Sequence, residues 1–163
     1  MIKRLTLLAT LLSLTLTGQE LKILSDNFKG DQPQGISVFS GNVKITKGLD
    51  ELNATKVTVY TDAGRKPTKY IAEGDVSFYI VTDVGEKYRG KSQRAIYFPN
   101  ESEYQFFQKV DLIRIDDYRR IKGDKVVVNE IKGFANADSA GGDPVVMIFT
   151  MEDKNTTKKS MKK

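Results

Sequence analysis

The sequence predicts an all-β protein: a single antiparallel domain built from stacked hairpins. Three observations carry this. Runs rich in Val, Ile, Thr, Tyr and Phe alternate apolar and polar residues with a period of two, as half-buried strands do,. No stretch after the first two dozen residues sustains an apolar stripe at helical spacing,. And a strand core is repeated: Gly41-Asn42-Val43-Lys44-Ile45 returns as Gly74-Asp75-Val76-Ser77-Phe78 and more loosely as Gln108-Lys109-Val110-Asp111-Leu112, at a period of roughly 33 residues, within the range of repeat architectures.

The chain of 163 residues suits one domain with a sizeable core,. Met1-Ile2-Lys3-Arg4, the apolar run Leu5 to Leu16 and the small residues Thr15, Thr17 and Gly18 read as a signal peptide over residues 1–18,. The run is shorter than the roughly 20 apolar residues that span a bilayer, so cleavage is expected rather than anchoring. The domain then covers 19–152.

Leu21 to Leu24 is a short edge-strand candidate, and Ser25 to Asn27 with Gly30 to Gly35 supplies turn residues,. The first hairpin runs from Ile36 to Ile45 and back from Leu52 to Tyr60, with Lys47-Gly48-Leu49-Asp50 breaking it. Thr61 to Pro67 is a polar loop whose Pro is expected outside the ladder,. In the second unit Tyr70, Ala72, Gly74, Val76, Phe78 and Ile80 share a face, and Tyr88 to Phe98 returns. In the third, Tyr104, Phe106, Gln108, Val110 and Leu112 share a face, and Ile121 to Val128 returns after a turn at Asp116-Asp117,. Ile131 to Ala137 is a weaker strand, Asp138 to Pro144 a loop, and Val145 to Met151 a closing strand. Residues 153–163 form a lysine-rich tail expected to be disordered,.

Composition excludes several function classes. Removing Lys3, Arg4 and the five lysines of the tail from the 26 basic residues leaves 19 against 21 acidic ones, so no nucleic-acid partner is expected,. There is no His and no Cys: disulfides are excluded, and the usual general base, thiol nucleophile and transition-metal ligands are missing,. No catalytic residue, metal site or cofactor is therefore expected. The close carboxylate pairs, Asp116-Asp117 and Glu101 with Glu103, sit at turn signals, where solvated residues are usual,.

The candidate binding surface is the apolar face formed by Val43, Ile45, Val57, Val59, Val76, Phe78, Ile80, Phe106, Val110, Leu112, Val126 and Val128. Any one of them could be ordinary core, but a curved sheet without a covering layer would leave such a face partly open, and a contiguous open apolar face marks a binding site. Candidate assembly edges are Ile23 and Leu24 at one end and Val146 and Ile148 at the other, where an open sheet presents unpaired N–H and C=O groups,. Because the two ends differ, their pairing would be heterologous and would build head-to-tail homo-oligomers.

The repeated unit, with Gly one residue before Asn-Val or Asp-Val and an alternating return strand, resembles the OstA-like family over Leu21 to Met151. The resemblance implies a twisted, open-ended β-jellyroll in which the apolar face is a trough for the lipid A part of lipopolysaccharide. It implies a periplasmic bridge that carries lipopolysaccharide from the inner to the outer membrane, with an LptC-like inner-membrane protein and an LptD-like outer-membrane protein as partners. Lys44, Lys47, Arg65, Lys66, Arg89, Lys91, Arg94 and Arg114 are ordinarily a solvated face, though the lipid phosphates would welcome a few such residues at the trough mouth,. Two other readings stay open: a membrane-anchored LptC-like protein of the same pathway, and a secreted β-repeat module that binds glycans or mediates adhesion.

Overall fold

The computed structural model describes residues 20–82 and 84–151; the signal peptide expected over 1–18 and the tail expected over 153–163 lie outside them. Ten strands follow in order: β1 Leu21–Leu24, β2 Asn27–Asp31, β3 Ile36–Lys47, β4 Asp50–Thr61, β5 Pro67–Val81, β6 Lys87–Phe98, β7 Glu103–Arg114, β8 Arg119–Asn129, β9 Phe134–Asp138 and β10 Val146–Ile148. All belong to one antiparallel sheet in the order β1-β3-β4-β5-β6-β7-β8-β10, with β2 also on β3 and β9 also on β8. Among the described residues, strands approach closely only along this ladder, so the sheet stays open.

Two sequence expectations are corrected. Asn27, Gly30 and Asp31, expected as turn residues, belong to β2: pairing from Asp31↔Ile36 to Asn27↔Ser40, and the Phe28–Phe39 rings 5.0 Å apart, outweigh their poor strand propensity,. Pro67 is not outside the ladder. It opens β5 opposite Thr61, the first strand position being one where the missing N–H does no harm,. The closing strand is also shorter than the run Val145 to Met151.

The repeat unit marks a bend. Ladder registers shift at Ser40/Val43, Asn53/Lys56, Glu73/Val76, Lys91/Arg94 and Phe107/Val110, side by side across β3 to β8. On alternate strands two successive residues turn left-handed there: Gly41 and Asn42 (φ 78° and 46°), Gly74 and Asp75 (81° and 45°), Gln108 and Lys109 (63° and 52°). Gly, Asn and Asp adopt this region readily, which is why the repeat carries them. Space matters as well as φ, since a side chain at Gly74 would stand 2.5 Å from Thr55 Oγ1. The edge strands break on the same line. Asp26, between β1 and β2, donates its N–H to Gly41 O (2.9 Å), and Asp124 Oδ2 accepts the N–H of Ala140, between β9 and β10 (3.1 Å).

The third unit keeps this geometry without glycine. A left-handed non-glycine costs about 1–2 kcal/mol, partly offset by the greater chain entropy glycine loses. Gln108→Gly is therefore expected to raise stability by about 1 kcal/mol, read as a higher urea midpoint at unchanged slope.

Inward-facing residues form the core. Val43, Val57, Val76 and Val126 are fully buried, with Phe78, Phe106, Val110 and Leu112 around them. The outward row Lys44–Asn53–Ser77–Lys91–Asp111–Lys122 is polar, whereas Val38–Thr58–Ile71–Ile96–Gln105–Val127, nearer the other ends of the strands, is largely apolar, with Thr58 and Ile71 buried.

Candidate functional site

Because every long strand bends on one line, the sheet has two arms whose inner faces enclose a cavity of about 720 Å³. Phe78, Ile80, Val84, Tyr88, Leu112 and Arg114 line it from one arm, and Tyr104, Phe106, Val128, Ile131, Phe134 and Ala135 from the other. Its wall is an aromatic stack, with Phe78 over Phe106 at 4.7 Å and Tyr97 over Tyr104 at 4.4 Å between ring centres. Burial, reinforced by neighbouring Tyr97, pushes the Tyr104 hydroxyl above its ordinary range, so it stays neutral,. Gly90 makes room for the Phe78 ring: a methyl there would lie 2.7 Å from Cε1 and Cε2 and nearer still to Cζ.

One charged cluster sits at the rim. Arg114 donates from Nε to Asp117 Oδ1 (2.8 Å) and from Nη1 to Glu86 Oε1 (3.0 Å), and a second Asp117 oxygen takes its Nη2. Tyr88 donates its hydroxyl to Glu86 Oε2 (2.7 Å), and Arg119 Nε stands 2.6 Å from Asp117 Oδ2. The Arg114 hydrogen bonds hold the Asp117 carboxyl down to about 2 and raise the guanidinium in return,. At the opposite rim the buried Asn129 donates to Glu101 O (3.2 Å) and Glu103 Oε2 (3.3 Å) and accepts from the Lys132 N–H (2.8 Å), pinning the β8–β9 turn. The carboxylate pairs noted in the sequence are thus engaged in turns; Asp116 accepts the N–H of Lys87 (2.8 Å). Among the described residues no cluster of three or more metal-ligating side chains occurs.

The structure sorts the twelve candidate residues into two groups. Phe78, Ile80, Phe106, Leu112 and Val128 line the cavity. Val43, Ile45, Val57, Val59, Val76, Val110 and Val126 share the same face but pack with their neighbours in the core beside it. Sequence reasoning missed Tyr88 and Tyr104 as lining residues, although their registers with Ile80 and Val128 place them on the chosen face. It missed Val84 and Ile131 because both sit in turns, where alternation assigns no face; Ile131, expected to open the weaker strand, lies in the β8–β9 turn, and that strand is Phe134–Asp138. Of the edge candidates, Ile23 is half-buried opposite Ile45, while Leu24, Val146 and Ile148 are exposed on the outermost strands.

An open antiparallel sheet, bent along one line around an apolar cavity, is the twisted open jellyroll that the family resemblance implied. The family described as "LptA/(LptD N-terminal domain) LPS transport protein" matches residues 22–134. The lipopolysaccharide export system protein LptA of Escherichia coli K12 is 30% identical over 145 residues, covering 85% of this chain and 77% of its own length. LptH of Pseudomonas aeruginosa PAO1, also named a lipopolysaccharide export system protein, is 22% identical over 129 residues, covering 78% and 73%. A crystal structure of Pseudomonas aeruginosa LptH, described as the LptA homologous periplasmic component of the conserved lipopolysaccharide transport device, has the same fold, with a TM-score of 0.69 at 18% identity over 82% of this chain and 96% of that one. The chain belongs to the LptA/(LptD N-terminal domain) family of lipopolysaccharide transport proteins.

Proposed function

We propose that this chain is a periplasmic, non-enzymatic carrier that holds lipopolysaccharide by its acyl chains and bridges its passage from the inner to the outer membrane. The observation that carries the reading is the apolar cavity between the arms, lined by Phe78, Ile80, Phe106, Leu112 and Val128 in a chain whose named relatives are lipopolysaccharide export proteins. Each acyl methylene moved from water to that wall contributes roughly 0.8 kcal/mol, so a short length of chain suffices for binding without a polar contact. Protein purified from its own cells, extracted with organic solvent and examined by mass spectrometry, should yield a lipid A species. A lipid-free protein with affinity for sugars would sink the carrier reading in favour of a glycan-binding module. Persistence of residues 5–16 in the purified protein would favour the membrane-anchored, LptC-like reading.

The same reading includes LptC-like and LptD-like partners and head-to-tail copies of the chain, joined through the edges at Ile23 and Leu24 and at Val146 and Ile148. Supporting it, both outermost strands are short and leave one side of their backbone without a ladder partner,. Pro in place of Ile23, or separately of Ile148, is expected to lower the sedimentation coefficient at high concentration while the protein stays folded. Folded variants that still assemble like the parent would remove edge pairing as the mechanism.

A further inference from the structure

Three successive hairpin tips at one end of the sheet each carry an exposed large apolar side chain. Leu49 joins β3 to β4, Val84 joins β5 to β6 and Tyr118 joins β7 to β8, at 74, 82 and 70% exposure. Strands lie about 4.8 Å apart, so the tips stand about 10 Å from one another in a row of about 20 Å. The turns do not need these side chains. Gly48 (φ 58°) and Gly85 (φ 85°) supply the left-handed residue of the first two,. Tyr118 itself holds φ 58°, at a cost of about 1 kcal/mol that Gly would not incur and Asn would incur less. The fold gains little burial from the three and keeps one of them against backbone strain. At the other end the tips Gln32-Pro33-Gln34, Ala63-Gly64-Arg65 and Pro99-Asn100-Glu101 carry no large apolar side chain, and the fourth, the β8–β9 turn, carries Ile131 at 73% exposure.

We infer that Leu49, Val84 and Tyr118 form an acyl-chain lip, a continuation of the cavity wall on which the chains of a multiply acylated amphiphile lie where they leave the cavity. This rests on the carrier reading above. Two observations select acyl chains over a bilayer surface as the occupant. Val84 lines the cavity while remaining exposed, which makes the row continuous with the apolar wall. And the basic residues beside the tips, Lys47, Lys87 and Arg119, are accompanied by Asp50, Glu86, Asp116 and Asp117, so the tips offer no net attraction to an anionic membrane,. Size points the same way: about 720 Å³ is the volume of a site for one drug-sized molecule, less than a multiply acylated lipid requires,. With three exposed apolar tips at this rim against Ile131 at the other, the rims are unequal, which would give the bound lipid a preferred orientation across the cavity.

The test compares the full chain with the double variant Leu49→Ser, Tyr118→Asn, which spares Val84 because that residue also lines the cavity, using three probes. With hexa-acylated lipid A, followed by displacement of an environment-sensitive dye, the double variant should bind on the order of tenfold more weakly. With a single-chain lauryl amphiphile, which the cavity alone can hold, binding should be unchanged. Melting should not fall, because the replaced side chains are exposed and Asn relieves the strain at 118. Unchanged lipid A binding would overturn the lip, and so would equal weakening with both probes, which would mean a damaged cavity. Sedimentation of the parent, but not the variant, with phospholipid vesicles free of lipid A would overturn it in favour of a membrane contact. A parent that binds no lipid A at all would instead remove the carrier reading beneath it. Should the double variant misfold, Leu49→Ser alone is expected to weaken lipid A binding about threefold, and unchanged binding there would equally count against the row.

Discussion

Val76→Asp abolishes the folded state. Val76 is 1% exposed, sits on β5 in the middle of the ladder, and packs within the cluster that includes Val43, Phe78 and Val110. A carboxylate there loses its hydration and finds no cation on the inner face near it, so it must either stay charged at heavy cost or fold only as the neutral acid. Lost packing adds to this, and the total exceeds about 4 kcal/mol, a large part of the 5–15 kcal/mol that typically holds a domain. The expected result at neutral pH is loss of the cooperative urea transition and of near-ultraviolet circular dichroism. A variant melting within a few degrees of the parent would mean that water already reaches this part of the core. Val76 does not line the cavity, so any loss of lipid binding here follows from unfolding; Phe78→Asp, on the cavity wall, removes both at once.

Gly90→Ala is the second large effect. Only a hydrogen separates the Gly90 backbone from the Phe78 ring, and that ring is held on its other side by Phe106 at 4.7 Å. An added methyl forces the ring off its position and disturbs the stack that forms the cavity wall. Overpacking of this kind costs about 1–3 kcal/mol. Because the cost arises from one contact, it should not be additive: in a Phe78→Leu background, Gly90→Ala should cost less than it does alone. Denaturant titration of the two single variants and the double variant measures the coupling, and strict additivity would show that the strain lies elsewhere, in the backbone of β6.

The hairpins were readable because the inner face of each long strand is apolar over most of its length, and a period of two records that directly. Tyr70, Ala72, Val76, Phe78 and Ile80 fell on the inner face as their alternation requires. The strand β2 was hidden because Asn27, Gly30 and Asp31 have no strand preference of their own and are held by β3. The bend was half visible: Gly41 and Gly74 announce a left-handed backbone, whereas Gln108 and Lys109 adopt it only because the neighbouring ladders on β6 and β8 leave the third unit no other register. Least visible was the division between cavity wall and core. Val110 and Leu112 are alike in type and two residues apart on one face, yet only Leu112 meets the cavity, because that outcome depends on where the arms diverge, and local pattern carries no such information. Family membership came through the repeat, whose Gly-x-Val spacing is itself a product of the bend.

Strands that approach closely only along the ladder make the molecule nearly one-dimensional, a stack in which each layer is secured by the two beside it,. Opening is then cheapest at the outer layers, where β1, β2, β9 and β10 each have a single neighbour. Amide exchange should accordingly be slowest in β5 and β6 and quicken toward both margins, in the manner of a zipper loosening from its two ends. A carrier with this mechanical character can yield at its margins, where a partner or a second copy would join, while its central layers keep the cavity in shape.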